Sequence, residues 1–169
     1  MRYDVTNLND WAIGESLYKW IRENLEDGKT ILELGSGTGT VELTKHYKVY
    51  SVEDKKEWCD FAKESNYFYA PIVKYKDYDW YHIDIFKTIP KDYDLLIIDG
   101  PSGCRRTEGF IANINLFKTD IPIIIDDTEA FKLWNIKIVD FLSELLGRKV
   151  ITIQDGTKMF SVILKNEEK

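Results

Sequence analysis

The sequence predicts an α/β protein in which helices cover both faces of a doubly wound, mainly parallel sheet. Uniformly apolar runs bounded by turn residues alternate with segments that have the helical period of 3.6 residues, a pattern typical of parallel sheets buried on both sides. The alternation then stops, because the stretch KVITIQDGTKMFSVILK (149–165) reads as two strands joined at Asp155-Gly156. Such a dipeptide between strands is a strong signal for an antiparallel hairpin.

The individual elements follow from the same patterns. Strands are predicted at 30–35, 48–53, 67–73, 93–99 and 121–126, and helices over 15–26 and 128–146. Gly28 and Gly147 occupy positions typical of helix C-caps. We therefore expect one domain, with an N-terminal helix and lid over 1–28, a βα core over 29–147 and the terminal hairpin over 148–169.

Composition and charge exclude several classes of protein. The chain of 169 residues is 44% hydrophobic, but it has no apolar run long enough to cross a membrane and no signal-peptide pattern. Two cysteines, Cys59 and Cys104, lack metal-type spacing and suit a reducing compartment, so we expect a cytoplasmic protein without a membrane partner. A net charge of −6 argues against a general nucleic-acid binder, although an enzyme that binds RNA through a local patch stays open.

A glycine-rich turn follows the first predicted strand, in ILELGSGTGT (31–40). Glycines at Gly35, Gly37 and Gly39 would let the backbone approach a ligand at a helix N-terminus. Thr40 departs from the G-x-G-x-x-G/A pattern of NAD sites. Glu33 would point a carboxylate at the ligand, which suits a cationic ammonium better than a pyrophosphate. A tight turn without a ligand is the alternative.

The second predicted strand, in VYSVEDKKEW (49–58), ends in two acidic residues. Glu53 would face the same crevice as the glycine turn and could accept hydrogen bonds from ribose hydroxyls. Asp54 and Glu57 form a D-x-x-E pattern, which predicts a capping box for the helix that follows. A solvated loop charge is the alternative interpretation, and it applies most to Asp54.

Four motifs in the same order and spacing, ELGSGTG, SVEDKKEW, DLLIIDGPSG and IIIDDTEA, resemble the class I S-adenosylmethionine-dependent methyltransferases over nearly the whole chain. The resemblance implies that family's Rossmann-like, seven-stranded sheet, whose last strand is antiparallel, in agreement with the predicted hairpin. It implies S-adenosylmethionine as the cofactor, held by the turn from Gly35 to Gly39 including Ser36, with Glu53 at the ribose. It also implies that Tyr69 and Ala70 flank the adenine.

Three carboxylates follow the next two strands, because DLLIIDGPSG (94–103) ends its strand at Asp99 and IIIDDTEA (123–130) places Asp126 and Asp127 after three isoleucines. Ligands of open α/β sheets bind outside the carboxyl ends of the strands, so we expect the three to converge near the cofactor, with Asp99 contacting it. A divalent cation would relieve their repulsion, and oxygen ligands favour Mg²⁺. The alternatives are that Asp127 caps a helix starting at Thr128 and that Asp99 forms a turn.

Catalytic candidates come partly from similarity to metal-dependent small-molecule O-methyltransferases, in which the metal positions and acidifies a substrate hydroxyl. Asp99 is the first candidate, and His82 in DWYHID (79–84) is the candidate base. Arg105, beside Arg106, follows the strand-end aspartate where such enzymes often carry a basic residue, and arginine can clamp a carboxylate or phosphate. Walls of the substrate pocket are expected from 1–14, 74–92 and 101–110, with Trp80 and Tyr81 either in that wall or in the core.

The expected function is O-methylation of a small-molecule or sugar acceptor. Two points stay open: whether Mg²⁺ assists the reaction, and whether the protein is a homodimer in which the partner subunit provides a lid over the pocket. A methyltransferase acting on RNA or protein is an alternative, although no N-P-P-Y-like signature follows Asp99. A non-catalytic module that binds S-adenosylmethionine is a second alternative. An NAD-dependent oxidoreductase is disfavoured by Thr40 and by the terminal hairpin.

Overall fold

The computed structural model describes residues 13–102, 105–129 and 132–166. Its helices are α1 (Glu15–Asn24), α2 (Thr38–Thr44), α3 (Arg105–Ala112) and α4 (Leu133–Leu146). Its strands are β1 (Thr30–Leu34), β2 (Lys48–Glu53), β3 (Asn66–Tyr69), β4 (Ile72–Lys74), β5 (Asp79–Tyr81), β6 (Leu95–Ile98), β7 (Ile123–Ile125), β8 (Val150–Asp155) and β9 (Lys158–Ile163). Within these described ranges, no helix combines the length and apolar character that crossing a membrane requires.

Seven strands form one sheet in the order β3-β2-β1-β6-β7-β9-β8. The strands β1, β2, β3, β6 and β7 are parallel, whereas β9 runs antiparallel to both β7 and β8. The turn between β8 and β9 contains Gly156 at φ 58°, in the left-handed region that glycine readily adopts. The predicted fold class is therefore confirmed: a doubly wound, Rossmann-like, seven-stranded sheet with a C-terminal antiparallel hairpin.

Successive side chains of the central strands enter two separate hydrophobic cores, as the two-residue period of a strand requires. In β6, Leu96 and Ile98 pack with the core that includes apolar residues of α3 and α4. The alternate residues Leu95 and Ile97 pack with the core that includes residues of α1 and α2. Helices thus cover both faces, which explains why β6 is apolar at every position.

The predicted helix after β2 is replaced by a single 3-10 turn, Lys56–Trp58. Its N-cap residue is Lys55 and makes no side-chain capping bond, so the predicted capping box of Asp54 and Glu57 is wrong. The segment cannot continue as a right-handed helix because Asp60 has φ 69°, a left-handed conformation. This part of the chain is therefore an irregular connection.

An additional hairpin of β4 and β5 lies outside the main sheet and was not predicted. Its buried residue Trp80 stacks on Phe86, with ring centroids 5.1 Å apart and an interplanar angle of 5°. Trp80 and Tyr81 are both fully buried. Of the two interpretations of these aromatic residues, the structure therefore supports the core.

The chain leaves β7 without entering a helix, so the prediction that Asp127 caps a helix starting at Thr128 is wrong. The backbone N–H of Thr128 donates to the carbonyl oxygen of Met159 over 2.8 Å, and the Thr128 hydroxyl accepts from Ser161 over 3.1 Å. These bonds hold the segment against β9, and α4 begins only at Leu133. Asp127 itself has φ 59°, a conformation that Asp tolerates better than most residues.

Candidate functional site

A cleft of about 550 Å³ lies at the carboxyl ends of β1, β2, β6 and β7, where open α/β sheets bind ligands. One side is formed by the glycine loop after β1 and by the residues that follow β2. The other side is formed by residues that follow β6 and β7 and by the β8–β9 turn. The lining includes Gly35, Ser36, Gly37, Glu53, Asp54, Lys55, Trp58, Asp99, Gly100, Pro101, Ser102, Arg106, Asp126, Asp127, Glu129, Lys132, Trp134, Asn135, Thr157 and Lys158.

The glycine loop is shaped by its close approach to the end of β6. Gly35 has φ 88°, and a Cβ atom there would lie 3.0 Å from the backbone nitrogen of Gly100. Gly37 precedes α2, and its N–H donates to the Thr40 hydroxyl over 3.0 Å. Gly39 lies away from the cleft, under Ile13, whose Cγ1 would be 2.6 Å from an added Cβ. Of the loop residues predicted from sequence, Gly35, Ser36 and Gly37 line the cleft, whereas Gly39 lies in α2 and does not.

Glu33 points into the protein and supports the glycine loop from below. Its Oε1 accepts hydrogen bonds from the hydroxyls of Thr40 (2.7 Å) and Ser51 (2.6 Å), and the residue is buried. It also lines a small recess together with Gly35 and Asp99. Burial raises the pKa of Glu33 to about 7, against the lowering effect of the two hydroxyls. The predicted contact with a ligand ammonium would have to be made through this recess.

This raised pKa predicts a pH-dependent cost to stability. The folded chain binds the Glu33 proton more tightly than the unfolded chain, whose value is near 4.5, so stability falls as pH rises from 4.5 to 7. The full penalty, on the order of 3 kcal/mol, applies above pH 7. Glu33→Gln, which does not titrate, should gain stability relative to wild type over this window when unfolding by urea is followed at several pH values. Parallel pH profiles for the two proteins would contradict the prediction.

Glu53 ends β2 with its carboxylate directed at the glycine loop. Its Oε2 accepts from the backbone N–H of Ser36 (3.0 Å) and from the Ser36 hydroxyl (2.9 Å), and its Oε1 accepts from the N–H of Lys55 (2.8 Å). The residue is buried yet lines the cleft. The structure therefore brings Glu53 and the loop together, as the sequence predicted.

The two residues predicted to flank an adenine do not line this cleft. Ala70 is fully buried, and its N–H donates to the carbonyl oxygen of Glu53 over 2.9 Å. Tyr69 is 43% exposed on the protein surface. Trp58 lines the cleft instead, beside Lys55. Trp58 is not recognisable as a cleft residue from the sequence, because the pattern around it predicts a helix that does not form.

Asp99, Asp126 and Asp127 converge as expected, but a buried arginine lies among them. Arg106, from the first turn of α3, donates from Nη2 to the carbonyl oxygen and to Oδ1 of Asp99, the latter over 3.3 Å. Its Nη1 donates to the carbonyl oxygen of Asp126 over 3.2 Å, and Nη2 lies 3.7 Å from Oδ2 of Asp127. The Lys132 ammonium lies 2.7 Å from the other oxygen of Asp127. The positive charges of Arg106 and Lys132 thus offset the repulsion expected among the three carboxylates.

Burial raises the pKa of two carboxyl groups of this cluster, Asp99 and Asp126, in spite of Arg106. Burial raises the pKa of Asp126 well above its ordinary value, and the neighbouring charges of Asp99 and Asp127 raise it further. Burial also raises the pKa of Asp99, although Arg106 opposes the change. Asp99 and Asp126 therefore have a stronger affinity for a proton than an exposed aspartate has.

The residues predicted as metal ligands do not fit a divalent ion as they are placed. In the ranges that the structure describes, no group of three or more His, Cys, Asp or Glu side chains is arranged to hold a metal. An ion bound by Asp99 and Asp127 would lie against the guanidinium of Arg106, which occupies the space between their carboxylates.

Of the other two catalytic candidates, His82 is not brought into the cleft. His82 directly follows the β4–β5 hairpin, and its backbone N–H donates to the carbonyl oxygen of Pro71 over 3.0 Å. None of residues 74–92, all of which are described, lines the cleft, so this expected wall is wrong. Arg105 begins α3, but its side chain lies outside the described part of the chain, as do residues 1–12 of the expected lid. The adjacent Arg106 occupies the site.

No protein-family model and no curated protein matches the sequence. The fold, in contrast, matches solved structures of methyltransferases. An rRNA methylase from Streptococcus thermophilus is 12% identical, with a TM-score of 0.54 over 90% of this chain and 95% of that one. A proposed caffeoyl-CoA O-methyltransferase from Staphylococcus aureus is 15% identical, with a TM-score of 0.58 over 89% of this chain and 81% of that one.

A third similar structure was determined with the reaction product of a methyl donor. It is a proposed methyltransferase from Streptococcus mutans in complex with S-adenosylhomocysteine, 16% identical, with a TM-score of 0.57 over 88% of this chain and 94% of that one. At identities this low, a structural match establishes the fold but not the reaction, which must be argued from the residues of the site. The sheet order, the cleft at its carboxyl edge and these matches lead to one conclusion: the chain has the fold of the class I S-adenosylmethionine-dependent methyltransferases.

Proposed function

We propose that this protein is an S-adenosylmethionine-dependent methyltransferase that methylates an oxygen atom of a small molecule or sugar. One observation carries the proposal: the glycine loop, the Glu53 carboxylate and the acidic end of β6 border a single cleft. Glu53 is suited to ribose hydroxyls, and Asp99 lies across the cleft on the side where the reacting group of the cofactor would be. The likeness in fold to methyltransferases, one of them bound to S-adenosylhomocysteine, supports this assignment.

The residues of the cleft fit such a cofactor. A volume of about 550 Å³ lies within the range of small-molecule sites, roughly 300–1,000 Å³. Glu53 accepts three hydrogen bonds, and a carboxylate can accept about four, so a ribose hydroxyl can donate to it. Because Gly35 and Gly37 have no side chains, nothing at these positions obstructs a ligand that lies along the loop.

When bound, S-adenosylmethionine supplies an electrophilic methyl group on a sulfonium, and an acceptor oxygen that attacks it must lose its proton. The residues of the chain orient the acceptor and provide a place for that proton. Asp126 is buried, lines the cleft and has a raised pKa, so its proton affinity approaches that needed for proton transfer near neutral pH. Catalysis by such a site is mainly orientation of the acceptor together with removal of its proton.

The charge of the cleft supports a small acceptor over a nucleic acid. The described lining includes six carboxylates (Glu53, Asp54, Asp99, Asp126, Asp127 and Glu129) and four cationic side chains (Lys55, Arg106, Lys132 and Lys158). The whole chain also has a net charge of −6. A phosphodiester backbone is bound by a positively charged surface, so this balance disfavours it.

Calorimetric titration with S-adenosylhomocysteine and with NAD tests the cofactor assignment. We expect wild-type protein to bind S-adenosylhomocysteine and not NAD. Glu53→Gln removes the charge at the proposed ribose site and should weaken binding by about tenfold to a hundredfold. Glu57→Gln is the matched control, because Glu57 is exposed, lies outside the cleft and should leave the affinity unchanged.

Two outcomes would contradict the proposal. Tight binding of NAD alone would assign the cleft to a different cofactor. Binding of S-adenosylhomocysteine that is equally strong in Glu53→Gln and in wild type would remove Glu53 from the ribose site.

A further inference from the structure

The acidic cluster at the ends of β6 and β7 already holds a cation of its own. The guanidinium of Arg106 approaches carboxylates that follow both strands, Asp99 over 3.3 Å and Asp127 over 3.7 Å. Both contacts are made by the same nitrogen, Nη2. One positive group therefore bridges two strand ends, which is the arrangement that a divalent ion would otherwise provide.

Arg106 is held in this place by more than charge. Arg106 is only 4% exposed. Its two terminal nitrogens donate to the backbone carbonyl oxygens of Asp99 and Asp126, so the side chain cannot leave without breaking bonds to both strand ends. Buried carbonyl groups that lose their donors are costly, and this opposes any movement of the guanidinium that would admit another ion.

The remaining oxygen of Asp127 is also engaged, because the ammonium of Lys132 lies 2.7 Å from Oδ1. Asp127 thus faces a cation at each of its two carboxylate oxygens. A divalent ion entering the cluster would have to displace one of these contacts and would lie close to a fixed positive charge in a partly buried site. Repulsion between like charges is strong under these conditions.

We infer that Arg106 takes the place of a divalent metal ion at the acceptor end of the cleft, and that the protein transfers methyl groups without a metal. The second half of this inference rests on the proposed function, whereas the first half concerns the cluster alone. Arg106 acts here as a positioning residue, since it holds Asp99 and Asp127 in place by charge and hydrogen bonds.

Binding of Mn²⁺, measured as loss of the electron paramagnetic resonance signal of the free ion, tests the inference without an acceptor. Wild type and Asp126→Asn should bind Mn²⁺ equally weakly, because only surface carboxylates would take it up. Arg106→Ser should bind Mn²⁺ about tenfold more tightly or better, because the repelling charge is gone. Arg106→Lys, which keeps the charge, should behave like wild type.

A stoichiometric Mn²⁺ site in wild type that is lost in Asp126→Asn would overturn the inference. So would a folded Arg106→Ser variant whose affinity for Mn²⁺ is unchanged. If Arg106→Ser does not fold, the comparison of wild type with Asp126→Asn still decides the question. Titration of wild type with S-adenosylhomocysteine, in one sample treated with a chelator and in one supplied with metal, separates the two proposals. If S-adenosylhomocysteine binds in neither sample, the cofactor assignment is contradicted and the inference about Arg106 is not affected.

Discussion

Arg106→Met is expected to destabilise the protein by about 3 kcal/mol at pH 8.5, because it leaves two partly buried carboxylates, Asp99 and Asp127, without this partner. This destabilisation lies at the lower end of the range for breaking a buried ion pair, since the Asp99 and Asp127 side chains are 29% and 28% exposed. The loss should shrink at pH 5.5. The pKa values of Asp99 and Asp126 are already raised, and removal of Arg106 raises them further, so both carboxyl groups are protonated in acid.

Unfolding by urea at the two pH values measures this difference, and Arg148→Met is the matched control. Arg148 is also a buried arginine, but its guanidinium donates to the backbone carbonyl oxygens of Thr119, Ile121 and Leu164. Its replacement should cost about 1–3 kcal/mol at either pH, because carbonyl groups do not titrate. A pH-independent loss in Arg106→Met would contradict the assignment of its partners.

Gly35→Ala is expected to remove measurable binding of S-adenosylhomocysteine and to destabilise the fold by about 2–5 kcal/mol. A side chain at φ 88° costs about 1–2 kcal/mol by itself. The new Cβ would also lie 3.0 Å from the nitrogen of Gly100 and 3.2 Å from the carbonyl carbon of Asp99, and overpacking against backbone typically adds about 1–3 kcal/mol. The loop and the end of β6 must then separate, which deforms the cleft.

Gly28→Ala separates the two contributions in the Gly35→Ala variant. Gly28 has nearly the same φ, 83°, but a Cβ there would have no atom within 4 Å. Its replacement should cost only about 1–2 kcal/mol and leave the affinity for S-adenosylhomocysteine unchanged. Equal losses of stability and affinity in the two variants, measured by urea unfolding and calorimetry, would show that the contact between Gly35 and Gly100 has no special role.

The fold could be predicted well because its signals are local and repeated. Each residue of β6 is apolar since both faces of the sheet are covered, and the sequence shows this directly as LLII. The antiparallel end of the sheet was predicted from Asp155-Gly156, where the turn requires a left-handed residue. Features that depend on distant contacts were missed. The bond from Thr128 to Met159, which prevents a helix after β7, joins residues far apart in sequence.

The sequence predicted which strand ends form the site, but not which side chains contact one another there. The convergence of Asp99, Asp126 and Asp127 follows from parallel strand order alone. Which side chain of α3 enters the cluster depends on the rotation of this helix about its axis, and no local sequence pattern specifies this rotation. The side chain of Arg106 enters the cluster, so the positive charge that the sequence analysis assigned to a metal ion is supplied by an arginine.

The central claim is that the cleft binds S-adenosylmethionine between the glycine loop and the ends of β2 and β6. A crystal structure with S-adenosylhomocysteine bound tests it most directly. We expect a ribose hydroxyl to donate to Glu53 and the sulfur to lie on the side of Asp99, with Arg106 still between Asp99 and Asp127. A ligand bound elsewhere, or a ribose that does not contact Glu53, would contradict the claim.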